Sequence, residues 1–332
     1  MTLKDIINKT FRIILPLSLG ILLLWYVYRN QNIGEMMEII RQGVRYDIIL
    51  FSLIFGLAGN IFRAYRWSNL IDALGKRIQR SNAIYAVLGN YAINYVLPRL
   101  GELWRCGVTA KYEKVPFSKL LGTLFVDRIM DWIVVSVLMF CLYFFNIGFF
   151  NKFFADNPPK FIAMINAATH SWWTYIALTA FVSLIWFVLV KYKHVKIVQK
   201  ARHLLGEVWE GVKSLLKTKH KTLFTVQTIM IWVCYFLYFY ITFYAFDFTA
   251  DLGLRIGLIA FAMSSISVAM PVQGGIGVWH FMVISTFVAF GVSKTDAGAF
   301  ALIVYTVQTV WLILTGLVGI IALPIVNKTN RQ

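Results

Sequence analysis

The sequence predicts an all-α polytopic membrane protein: about six transmembrane helices plus two re-entrant helical hairpins in an inverted repeat. Three observations carry that reading. First, 59% of the 332 residues are hydrophobic and only 14% charged, with a mean hydropathy of +0.69, well outside the range of ordinary soluble domains. Second, charge-free windows of about span length recur along the whole chain. Third, the basic residues gather in particular connecting segments rather than being spread evenly. The 32 Lys and Arg against 15 Asp and Glu leave a net charge of +17. In a soluble chain this would suggest nucleic acid. Between membrane spans it points instead to anionic lipid headgroups on one face, and no nucleic-acid partner is expected. Cys106, Cys141 and Cys234 are far apart, with neither metal-ligand spacing nor a disulfide framework.

Taken in order, residues 12–29 form the first span. Lys4, Lys9 and Arg12 precede it as in a signal peptide, but no small-residue cleavage site follows and Trp25, Tyr26 and Tyr28 close the run. The second span begins near Asp47 and runs into Arg63 and Arg66. Residues 81–110 form a hairpin, and a long helix covers 117–149. Further spans follow at 170–190, 222–246 and 297–326, with a second hairpin at 254–293. Inside that last segment, residues 256–293 contain no ionisable group except His280. Each of its halves makes about 25 Å of helix, short of the roughly 30 Å hydrocarbon core. Segments 30–46, 150–170 and 247–253 are near-neutral loops. The basic segments are the N-terminus, 76–80, 111–119, 191–221 and the C-terminus, and 191–221 alone holds nine Lys or Arg against Glu207 and Glu210. All five fall on one side if both hairpins return to the side they enter from. This predicts a multi-pass protein of the cytoplasmic membrane with both termini cytoplasmic. Two short full spans would give the same parity. The loop 191–221 is long enough for one amphipathic helix on the cytoplasmic leaflet.

The order span, span, hairpin, span then occurs twice. Residues 1–150 form the first repeat and 151–332 the second, with the basic loop 191–221 inside it and the second half entering from the opposite side. The hairpin tips resemble each other. In "NYVLPRLGELWR" (94–105), Pro98 stands three residues before Gly101 and is followed by Trp104 and Arg105. In "SVAMPVQGGIGVWH" (267–280), Pro271 stands three before Gly274 and is followed by Trp279 and His280. Inverted repeats with helices broken near the membrane midplane are a transporter architecture.

Ionisable groups inside a membrane are costly and mark functional sites. Arg63 and Arg66, one turn apart, are either an interfacial pair reaching to lipid phosphates or a phosphate clamp. Arg99, Glu102 and Arg105 follow the first tip, spaced so that Glu102 can pair with either arginine, leaving the other for an anion. Asn94 adds a polar group before the tip. Asp127, Arg128 and Asp131 share a helix region facing those arginines, as a structural ion-pair network or a binding one. At the second tip Gly274, Gly275 and Gly277 allow a sharp turn with free N–H groups, and Gln273 and His280 add polarity. There is no P-loop, H-x-x-x-H pair, nucleophile elbow or dinucleotide fingerprint. No catalytic residue, metal or cofactor is assigned.

"FRAYRW" (62–67), "NYVLPRLGELWR" (94–105), "VDRIMD" (126–131) and "PVQGGIGVW" (271–279), in this order, resemble the lysylphosphatidylglycerol synthase transmembrane family. This is the flippase-like region of the multiple peptide resistance factors, and the likeness covers about residues 10–325. It implies a lipid-flipping module whose polar heart is Arg63, Arg66, Arg99, Glu102, Arg105, Asp127, Arg128 and Asp131. Two departures stand out. The soluble aminoacyl transferase domain does not follow, so no lysyl transfer is carried over. His280 also stands where the family often has a glutamate. The resulting expectation is a non-enzymatic translocase moving a phosphate-bearing lipid, such as an aminoacylated phospholipid or a polyprenyl-phosphate lipid, between leaflets. The alternative is a membrane-embedded transferase acting on a lipid-linked substrate. Its partners are membrane lipids, and a second copy or a separate lipid-modifying enzyme are the candidate protein partners.

Overall fold

The computed structural model describes residues 31–97, 99–156, 196–217, 221–269 and 272–329, together with Ser18, residues 21–22 and 24–29, Thr179 and Lys191. The expected span at 170–190, most of the one at 12–29, and both tip prolines, Pro98 and Pro271, lie outside the described residues. Among those residues the chain is helical throughout. The described residues form eleven α-helices of ten or more residues: α1 (Ile33–Gln42), α2 (Tyr46–Asp72), α3 (Arg80–Val96), α4 (Leu100–Glu113), α5 (Phe117–Phe145), α6 (Ile147–Asp156), α7 (Lys196–Lys217), α8 (Lys221–Tyr240), α9 (Gly253–Ser265), α10 (Val278–Ala289) and α11 (Lys294–Thr329). Four are long and apolar enough to cross a membrane: α2, α5, α8 with its continuation to Ala245, and α11.

Two expectations, one of a loop and one of a helix end, are corrected. Residues 30–46 contain α1, started by the Asn32 side chain, which accepts hydrogen bonds from the Gly34 and Glu35 amides at 3.1 and 3.3 Å. That cap satisfies two otherwise orphaned donors, and Met36 tucks inward. The long helix expected over 117–149 ends at Phe145. There the Asn146 side chain turns back to the Leu142 carbonyl, and α6 starts anew.

The two pairs of short helices enter from opposite ends of the bundle. At one end Asn82, near the start of α3, bonds Glu113, the last residue of α4, at 2.5 Å and Asn327 of α11 at 2.7 Å. The α3–α4 pair therefore returns to the end it came from. At the other end the Arg45 amide, just before α2, donates to the Ala245 carbonyl. There too Arg255 of α9 donates to Asn146 at 2.7 Å, and Phe290, just after α10, stacks on Phe149. The two turns meet inside the protein, where the Gln273 amide donates to the Val96 carbonyl at 3.2 Å and Gly274 sits against the Tyr95 ring. With 17 residues α3 spans about 25 Å, less than a full hydrocarbon crossing. The second turn needs glycine. Gly274, Gly275 and Gly277 all have positive φ, a region that side chains rarely enter.

Close backbone approach sets the packing. Gly316 and Gly319 bring α11 onto Leu88, Ala92 and Tyr85 of α3, and Gly56 and Gly59 of α2 receive the rings of Tyr238 and Tyr235 from α8. Small residues at such crossings are the membrane counterpart of apolar burial, since lipid supplies little drive for helices to associate. At the first turn the Gly101 amide donates to the Asn94 side chain at 2.9 Å, and a Cβ there would run into the Asn90 carbonyl. Gly101→Val should therefore lower the unfolding free energy in detergent by about 1–3 kcal/mol through overpacking. Gly107→Ala, where a Cβ meets open space, should leave it unchanged or raise it by up to about 1 kcal/mol. Thermal melts of the two variants check the contrast.

Candidate functional site

The site grows from three helices. On α2, Asn60, Arg63 and Trp67 lie on one face and Arg66 on its edge. On α4, Arg105 points toward α2. On α5, Asp127 and Asp131, one turn apart, point back at all three arginines. Arg66 is the centre. Its Nη2 lies 2.6 Å from Asp127 Oδ1 and 2.8 Å from Asp131 Oδ1, its Nε donates to Asp127 Oδ1 at 3.0 Å, and Nη1 reaches Thr228 of α8 at 3.4 Å. Arg63 Nη1 meets Asp131 Oδ2 at 2.5 Å and Asp127 Oδ2 at 3.5 Å. Its Nε donates to the Tyr235 hydroxyl, which donates to Asn60 and also touches the Tyr91 hydroxyl at 3.0 Å.

These residues are shut away from solvent. Arg66, Arg105 and Asp127 are 0% exposed and Arg63 is 3% exposed. Arg63 and Arg66 are thus neither an interfacial snorkelling pair nor an open clamp, because the carboxylates of α5 have taken their donors. Desolvation drives this pairing: an uncompensated charge in a low-dielectric interior costs far more than the ion pair. Asp127 and Asp131 are correspondingly engaged and leave no open carboxylate for a metal ion.

The pairing expected for Glu102 is also corrected. It binds neither Arg99 nor Arg105. It pairs across to Arg128 of α5 at 3.0 Å, and Arg128 Nη1 also approaches Asp131 at 3.6 Å. The reason is the backbone at Arg99. Arg99 takes a left-handed backbone (φ 62°) and is exposed at the tip, and the helix from Leu100 aims Glu102 at α5 instead of back along α4. Arg105 is left with one ionic contact, its Nη2 3.3 Å from Asp127 Oδ2. Its plane lies 4.3 Å over the Trp67 ring, and Trp67 is itself held by a 3.0 Å bond from its indole N–H to Thr123. Among the described residues, the Nε and Nη1 of Arg105 are buried with no hydrogen-bond partner. Across the cluster four guanidiniums face three carboxylates, so it holds one positive charge in excess.

Gln273 and His280 do not join this cluster. They sit where the two turns meet, with Asn94 serving the first turn. His280 is 1% exposed, packs 4.5 Å from the Tyr305 ring and near Tyr28 and Trp279, and its Nδ1 has no partner. Tyr305 donates to the Gly274 carbonyl at 3.0 Å and Tyr95 touches Thr309 at 3.2 Å. Sequence reasoning missed Tyr235, Tyr91, Asn60 and Thr228. The one available signal was Asn60, three residues before Arg63 on the same face; the tyrosines are unremarkable in so aromatic a chain.

The helices and their buried charges define an all-α multi-pass membrane protein with a polar centre. Its sequence matches the model of the lysylphosphatidylglycerol synthase TM region over residues 13–316, and the chain belongs to that family. It is therefore a lipid-related membrane protein. No curated protein and no solved structure matches it significantly.

Asp127→Asn keeps the shape but removes a charge that three arginines share, and should destabilise the protein by about 3–5 kcal/mol. Glu102→Gln, at a partly exposed pair, should cost less than about 1 kcal/mol. Chemical unfolding in detergent measures both.

Proposed function

We propose that this protein translocates a phosphate-bearing lipid between leaflets, with Arg105 as the first group to take the phosphate. The observation that carries this reading is the pair of orphaned donors on Arg105 inside a cluster with one cation in excess. A buried guanidinium stays charged, and its unmet N–H groups match the fork geometry by which arginine holds phosphate oxygens. The 3.3 Å contact to Asp127 is the one ionic tie that an incoming anion has to displace at Arg105. Arg63 and Arg66 keep their carboxylates and hold the remaining positive potential in place.

The two halves, 1–150 and 151–332, act as inverted repeats that present their turns to each other. Opening one end at a time exposes the cluster to alternate leaflets. The basic end of the bundle faces the cytoplasm, as the positive-inside rule demands. Candidate substrates are aminoacylated phospholipids, other phospholipids and polyprenyl-phosphate lipids.

Purified protein in liposomes, with fluorescent lipids of each class scored for leaflet position, tests the reading. Wild type should move at least one phosphate-bearing class. Arg105→Gln should slow that movement about ten- to hundredfold, the equivalent of one lost charge-assisted hydrogen bond of about 1.5–3 kcal/mol. Arg105→Lys should fall between, since lysine lacks the fork. Equal rates for wild type and Arg105→Gln across all classes would sink the proposal. A chemically altered lipid with unchanged leaflet distribution would instead identify a transferase.

A further inference from the structure

The amphipathic segment expected within 191–221 proves to be more than a tether. Helix α7 lies along the first half of α5 with backbones in contact. A Cβ on Gly211 would strike the Lys119 carbonyl and Gly122, and one on Gly122 would strike the Val208 carbonyl and Gly211. Two polar contacts fix the register: Ser118 donates to Glu207, and Lys119 pairs with Glu210 at 2.7 Å. Both glutamates of α7 are therefore spent on α5. From the same inner face Val212 packs with Leu70 of α2, Val126 and Met130 of α5 and Phe224 of α8. The Phe224 ring in turn lies 5.9 Å from the Arg66 guanidinium. Helix α7 thus forms the floor of the ion cluster at the basic end of the bundle.

Its outer face has the opposite chemistry. Arg202, Leu205, Trp209 and Lys213 fall on one exposed arc, with Leu205 53% and Trp209 58% exposed. The Lys213 ammonium lies 5.8 Å over the Trp209 ring. A merely solvated face would not present a leucine and a tryptophan between cations. A helix whose acids are paired with a neighbouring helix and whose exposed arc sets a tryptophan among bases has the composition of one lying in a headgroup layer. Its height in the bundle agrees, since it borders the level where α2 ends and α5 and α8 begin.

We propose that the outer face of α7 docks on acidic phospholipid headgroups of the leaflet it borders, and that this docking seats α7 under the ion cluster. Arg202 and Lys213 supply the attraction, Leu205 and Trp209 the shallow insertion, and the glycine contact passes the seating to α5, which carries Asp127 and Asp131. The inference holds whether or not the protein translocates lipid, because its observable is the order of α7 itself.

The test is backbone hydrogen exchange of the full chain in nanodiscs of phosphatidylcholine alone or of an equimolar mixture with phosphatidylglycerol. Acidic lipid should slow exchange across Lys196–Lys217 by about tenfold or more while α3 changes little. High salt should remove most of that difference. Arg202→Gln with Lys213→Gln, both on exposed positions, should exchange at the phosphatidylcholine rate in both membranes while melting at the wild-type temperature. Exchange of α7 that ignores lipid charge in the wild type overturns the proposal, as does a double variant that keeps the full response to acidic lipid.

Discussion

Everything at the centre of this protein follows from the cost of leaving an arginine unpaired in an interior that water does not reach. Arg66, wholly buried, needs carboxylates on two sides and finds them on Asp127 and Asp131. Those carboxylates in turn need further cations, which Arg63 and Arg105 supply. Because the five residues come from α2, α4 and α5, meeting this one demand fixes the mutual position of a long helix, a short one and a second long one. Thr228 and Tyr235 extend the network to α8. In lipid, where apolar surfaces gain little from one another, such a polar node does much of what a hydrophobic core does in water.

The node is unevenly saturated. Arg66 is bound at short distances by both aspartates and Arg63 by Asp131 at 2.5 Å, whereas Arg105 has a single ionic contact of 3.3 Å, an aromatic face beneath it and two idle donors among the described residues. A network built purely for stability would close that edge. The asymmetry places an unsatisfied edge of the cluster on α4, the helix that follows the first turn, and hence next to the place where the two turns touch. The tyrosines Tyr91 and Tyr95, on α3, lie between the ion cluster and the buried His280 region. The two polar regions are therefore neighbours across a single helix.

Much of this was legible in the chain. Charge-free windows located the four described spanning helices within a few residues, because nothing except hydropathy decides which segments can lie in lipid. The structure returns each of the pairs within 81–110 and 254–293 to its own end of the bundle, a path that re-entrant hairpins and pairs of short full spans share. The i, i+4 spacing of Asp127 and Asp131 correctly placed them facing the arginines. What could not be read was pairing across helices. Glu102 has cations three residues away on both sides, yet the left-handed Arg99 rotates α4 so that Arg128 wins. Tyr235 carries no sequence signal that separates it from other aromatic residues. Helix α1 was hidden for a different reason: it is too short and too polar for a hydropathy window, and its capping asparagine was read as part of a loop.

The most direct measurement is an experimental structure in a lipid nanodisc containing a phosphate-bearing lipid, with the headgroup resolved. The account predicts a phosphate within hydrogen-bond distance of Arg105 Nε and Nη1, about 3 Å, with the Arg105–Asp127 contact released and the Arg66–Asp127 and Arg66–Asp131 pairs intact. A headgroup bound elsewhere, with Arg105 still on Asp127 and its other donors still idle, would contradict it.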